Sequence, residues 1–154
     1  MLVALVAGCG TSTPPPTPEA TPRHLVIVTI DTLRADRLGA YGSTTVPTPH
    51  FDRIAGEGVR ALDATTHVPI TRPSHATLFT ARYPAEHGVR DNISLPLAKD
   101  VPTLAEALHA QGFATAAFVS TFVLSSPSGL DRGFDHYDDA FEVPQSDEDA
   151  VFLS

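Results

Sequence analysis

The 154-residue chain has one cysteine. That excludes an internal disulfide framework and leaves any zinc site mostly to histidine and carboxylate. Bases are also scarce: 10 Lys and Arg stand against 18 Asp and Glu, a formal net charge of −8. Such a balance argues against a nucleic-acid binder, which normally shows a basic face. No apolar run reaches the roughly 18 residues of a membrane-spanning helix. What is present is apolar material for a core, 42% of residues, which excludes wholesale disorder. The length suits one domain of ordinary size.

The charge is unevenly placed. Up to Leu130 the chain carries 10 acids and 9 bases; from Asp131 onward 8 acids stand against Arg132 alone. The net charge is thus largely a property of the tail, which reads as a solvated acidic segment.

Residues 1–8, MLVALVAG, form a short apolar stretch, and Cys9 follows directly. Val6-Ala7-Gly8-Cys9 resembles the lipobox of bacterial lipoproteins. That resemblance implies a signal peptide over 1–8, a lipid on Cys9 and a place in the bacterial cell envelope, facing the periplasm or the exterior. No Lys or Arg precedes the apolar stretch, where a secretory signal normally carries one. Between Thr11 and Pro22, five prolines in twelve residues prevent helix and sheet and favour an extended tether over 9–23.

From residue 24 on, the pattern alternates. His24-Leu-Val-Ile-Val-Thr-Ile30 reads as a strand buried on both faces, ending at the polar turn from Asp31. Asp52 to Glu57 reads as a short helix closed by Gly58. Val59 to Thr66 is a candidate second strand. Ser74 to Ala81 reads as a helix with Pro73 near its start. Thr103 to Gln111 reads as a helix opened by a Thr103–Glu106 capping box and stopped by Gly112. Phe113 to Val119 is a third strand. Strands alternating with helices predict an α/β fold with a mostly parallel sheet flanked by helices.

In such sheets the functional groups sit at the carboxyl ends of strands. Asp31 ends the first strand, where a carboxylate can hold a metal or an attacking group, or simply close a turn. Thr71 stands just before a helix start, where an oxygen nucleophile would face backbone donors and the positive end of the helix dipole. A threonine there can equally cap the helix.

Together these segments resemble the N-terminal part of the sulfatase family, within the alkaline phosphatase superfamily. Val26 to Gly42 resembles the opening strand and metal-binding turn. Thr48-Pro-His-Phe-Asp-Arg-Ile-Ala-Gly-Glu-Gly-Val59 resembles the "TPxLDxLAxEG" helix. Thr71-Arg-Pro-Ser-His-Ala-Thr-Leu-Phe-Thr-Ala-Arg-Tyr-Pro84 resembles the "CxPSRxxLxTGxxP" signature. Pro102 to Phe113 resembles "TLAExLxxxGY". The resemblance implies an alkaline-phosphatase-like fold, here incomplete over 24–154, and hydrolysis of sulfate esters. It implies a divalent metal, Ca2+ in a sulfatase, with Asp31 as its first ligand. It places Thr71 at the nucleophile and His75 beside it as a catalytic residue. His87 and Asn92, on the polar loop after the signature, are expected to line the substrate pocket.

Several residues depart from the pattern. Sulfatases carry cysteine or serine at the nucleophile, matured to formylglycine; Thr71 argues against that maturation. His75 replaces the signature arginine, Thr32 the second ligand aspartate and Ala81 a glycine. Val119-Ser-Thr-Phe122 stands where Gly-Lys-x-His is common. Threonine is the nucleophile in phosphodiesterase and phosphotransferase branches of the superfamily, which use Zn2+ and phosphate esters. That is the alternative reading, and a non-catalytic lipid-anchored binding protein on the same fold is another. Because the family's further ligands come from downstream, the chain reads as a fragment, inactive by itself.

Overall fold

A computed structural model describes residues 24–93 and 95–141. Cys9, the tether at 9–23 and the acidic stretch from Glu142 lie outside the described residues. Contacts divide the chain into two units, meeting between Thr32 and Leu33.

In the first unit, residues 24–30 carry no regular secondary structure and are exposed, Val26 at 81% and Val28 at 76%. This differs from the expected buried strand. A β-branched run gives strand propensity, but a buried parallel strand also needs ladder partners, and the described sheet supplies none for it. Asp31 and Thr32 form a turn in which the Thr32 N–H donates to Asp31 Oδ1 at 3.1 Å.

The second unit opens with 3-10 turns at Ala35–Arg37 and Gly39–Tyr41, followed by helix α1, Pro49–Glu57. Pro49 starts the helix with its φ already set. Thr48 and Asp52 hold the preceding turn. Thr48 Oγ1 accepts the Gly39 N–H at 2.8 Å, and Asp52 Oδ1 accepts the Ala40 N–H at 2.6 Å. Val59 to Thr66, an expected strand, is irregular and exposed. The Arg60 guanidinium donates to the Ala40 carbonyl, and Tyr41 Oη donates to the Ala61 carbonyl at 3.0 Å. The backbone groups of Ala40 and Ala61 thus go to side chains rather than to a ladder.

Helix α2 runs Thr71–Thr80, three residues earlier than its expected start, and α3 is the single turn Pro84–His87. Helix α4, Leu104–His109, opens with the expected capping box. Thr103 Oγ1 accepts the Glu106 N–H at 3.1 Å, and Glu106 Oε2 accepts the Thr103 N–H at 2.8 Å. Gly112 sits at φ 84°, the left-handed conformation that ends such a helix.

Strand β1, Ala116–Phe118, pairs in parallel with β2, His136–Asp138, Ala116 opposite His136. The parallel α/β expectation holds in this pair. Turns at Phe122–Leu124 and Ser126–Ser128 lie between the strands. The core gathers Ala76 of α2 with Val89, Leu97, Val101, Val123, Leu124 and Leu130. Burying each of its larger side chains stabilises by about 1.5–3 kcal/mol.

The start of the acidic stretch is structural, not merely solvated. Asp135 Oδ2 accepts the Thr115 N–H at 2.8 Å, and Asp139 Oδ2 accepts both the Ser126 N–H and its hydroxyl at 2.7 Å. These bonds hold both carboxyls below their ordinary range. Tyr137 Oη donates to the Leu124 carbonyl at 2.5 Å; burial, with Asp131 and Asp139 nearby, pushes its hydroxyl up to about 12. Arg132 donates to the carbonyls of Ala98, Lys99, Val101 and Gly129, at 2.7–3.2 Å, and meets Glu106 Oε1 at 3.4 Å.

Candidate active site

Helix α2 carries the signature residues. Thr71 is its first residue, following Ile70, whose side chain has no acceptor to cap with. Pro73 lies in the first turn, where it brings no N–H that would need a partner. Thr71, Arg72, His75 and Asn92 are half-buried, whereas His87 is buried.

His75 lies one turn beyond Thr71. Its Nδ1 is 2.8 Å from the Thr71 carbonyl oxygen. A carbonyl only accepts, so Nδ1 carries a proton and is the donor in this bond. The ring stacks on Phe79 at 6.5 Å between centroids. The expected neighbours Thr71 and His75 are therefore brought together.

His87 and Asn92 do something other than line an open pocket. Asn92 Oδ1 accepts the Arg72 N–H at 2.9 Å and so caps the helix from twenty residues away. His87 Nε2 lies 3.0 Å from Thr77 Oγ1, and its Nδ1 accepts the Val89 N–H at 3.1 Å. The Thr77 hydroxyl itself donates to the Pro73 carbonyl at 3.0 Å. His87 Nε2 must then be the donor, and both ring nitrogens are engaged inside the protein. Burial pushes the His87 imidazole below its ordinary value.

Thr77 and Arg72 were not singled out by motif reasoning. The signal for Thr77 is its spacing: a hydroxyl four residues after Pro73 can bond back to that carbonyl. Arg72 Nε donates to the Val123 carbonyl at 2.8 Å, a contact 51 residues away that no local pattern announces.

Asp31 belongs to the first unit and is exposed there. Among the described residues, no three His, Cys, Asp or Glu side chains converge as a metal site would need. One aspartate does not satisfy a divalent cation, which takes four or more ligands. The described donor set therefore does not fit a resident metal by itself.

The sulfatase family model matches residues 23–151. The chain belongs to the sulfatase family. It is 32% identical over 120 residues to arylsulfatase A of Bos taurus, covering 75% of this chain and 22% of that protein. It is 30% identical over 138 residues to N-acetylglucosamine-6-O-sulfatase of Bacteroides thetaiotaomicron, covering 89% of this chain and 24% of that protein. The chain thus spans about a quarter of the length of these relatives. Among solved structures it is similar to a 2-O GAG sulfatase, with TM-score 0.60 and 28% identity over 76% of this chain and 25% of the other. These neighbours have the alkaline-phosphatase-like fold that the sequence implied, and the sulfatase chain described here carries a fragmentary parallel sheet with helices in keeping with it.

Proposed function

We propose that this chain supplies the nucleophile-bearing part of a hydrolase of sulfate esters, with Thr71 as the attacking residue. The observation that carries the reading is that the signature opens as helix α2, Thr71–Thr80, with Thr71 at its first position. There a hydroxyl stands at the end of a helix that favours developing negative charge. In the first step the Thr71 oxygen bonds to sulfur, the ester oxygen leaves, and the alcohol departs with a proton. Water then breaks the Thr71–sulfate bond and releases sulfate with the hydroxyl restored. His75, its Nδ1 tied to the Thr71 carbonyl, places an imidazole in the same turn as Thr71, a group whose chemistry suits holding a proton in either step.

The similar N-acetylglucosamine-6-O-sulfatase and 2-O GAG sulfatase support sulfated sugars as the substrate class. Divalent metal dependence, with Asp31 as one ligand, belongs to the same reading. Its other ligands would lie outside the described residues, and no step is routed through the metal. A lipid on Cys9 would hold the protein at a bacterial membrane, and by itself this chain would be inactive.

One observation favours a second reading: position 71 is threonine, not cysteine or serine. A phosphodiesterase or phosphotransferase would use Thr71 without maturation. The test is turnover of p-nitrophenyl sulfate against bis-p-nitrophenyl phosphate by the whole protein carrying this chain. Hydrolysis of the sulfate, reduced at least about a thousandfold by Thr71→Ala, is expected. Turnover of the phosphodiester alone selects the second reading, and full activity in Thr71→Ala rejects the nucleophile.

A further inference from the structure

The segment after α2 grips that helix at two points. Asn92 Oδ1 accepts the Arg72 N–H at 2.9 Å, the bond a capping residue before the helix would normally make and Ile70 cannot. His87 Nε2 donates to Thr77 Oγ1 at 3.0 Å, and that hydroxyl donates to the Pro73 carbonyl at 3.0 Å. Arg72 and Pro73 are the two residues that follow Thr71. Ala76, one turn further along α2, is fully buried in the core and anchors the helix there. The His87 ring is closed off by the Val89 N–H on its other nitrogen.

We propose that residues 84–92 act as a clamp on the first turn of α2, in which Asn92 and His87 are positioning residues for Thr71 rather than groups that touch the substrate. The role assigned to Thr71 rests on the reading in the preceding section; the clamp itself does not. The Asn92 amide uses its oxygen on the helix, which fixes which atom of the side chain matters. Substrate sulfate would call instead for its N–H donors.

That difference makes the proposal testable. Asn92→Asp keeps the acceptor oxygen and loses the donors, while Asn92→Ala loses both. Amide exchange at Arg72, followed by NMR on this chain, reads the clamp directly. In the unaltered chain the Arg72 amide is expected to be protected. Asn92→Ala should speed its exchange by about fivefold or more, with Asn92→Asp restoring protection. An unprotected Arg72 amide in the unaltered chain, or exchange unchanged in Asn92→Ala, overturns the clamp. Where the whole protein turns over either ester, Asn92→Ala should lower kcat with little change in KM, and Asn92→Asp should recover kcat. A raised KM in Asn92→Asp with exchange still protected would make Asn92 a substrate ligand and overturn the proposal. Absence of turnover in the unaltered protein counts against the hydrolase reading alone, since the exchange measurement still decides the clamp.

Discussion

Ala81 ends α2 at φ 53°, in the left-handed region where a Cβ is costly. The family pattern has glycine there, and the structure shows why: the helix needs that conformation to close. Ala81→Gly should therefore stabilise the chain by about 0.5–1 kcal/mol, seen as a higher denaturation midpoint at constant m-value. Gly133 is the opposite case. It sits at φ 87°, and a Cβ there would fall 2.1 Å from the Glu106 nitrogen, in the backbone of the first turn of α4. Gly133→Ala should cost about 3 kcal/mol or more, because both the dihedral and the helix contact resist it. Thr32, a β-branched residue at φ 56°, carries strain in the same turn as Asp31.

At the scale of elements, the joints between segments should respond to acid in two stages. His87 is held neutral between α2 and the 84–89 turn, below its ordinary value of 6.5. The unfolded chain takes up that proton first, so stability is full above about 6.5 and falls as pH drops beneath it. Asp135 and Asp139, which tie β2 and its flank to Thr115 and Ser126, are held below their ordinary 3.8. Their contribution is present above 3.8 and is lost as pH falls further. Thermal midpoints measured from pH 8 to pH 3 should show both declines. His87→Gln should flatten the upper one and leave the lower one in place. The capping box of α4 was legible in sequence because all its partners are local: Thr103 and Glu106 are three residues apart. The cap of α2 was not, since its acceptor arrives from Asn92, and a polar residue after a glycine turn looks like any loop residue.

Across the second unit, Arg132 is the hub that local patterns hid. A single base in an acidic run reads as a stray countercharge, yet its guanidinium collects four backbone carbonyls from 98–101 and 129 and reaches Glu106 on α4. Lysine carries the charge without the fork, so Arg132→Lys should cost about 2 kcal/mol in chemical denaturation. The family was readable from four motifs in order, and the parallel α/β layout from strands alternating with helices. The placement of strands was not: the β-branched run at 24–30 and the mixed segment at 59–66 carry strand-forming residues, whereas a strand exists only where another strand meets it. Phe118 and Phe122, 74% and 68% exposed, show the same gap between apolar character and burial. Of the candidate site, Thr71 and His75 came from the signature, while Arg72 and Thr77 required the folded contacts.

The pairing of Ala116 with His136 also sets an order of events during synthesis. β1 leaves the ribosome twenty residues before its partner, which at about 5–20 residues per second is roughly one to four seconds without a ladder. The Arg132 anchor for α4 emerges only in that same interval. A nascent chain paused before residue 132 would thus present β1 without its ladder and α4 without its Arg132 anchor at the same time.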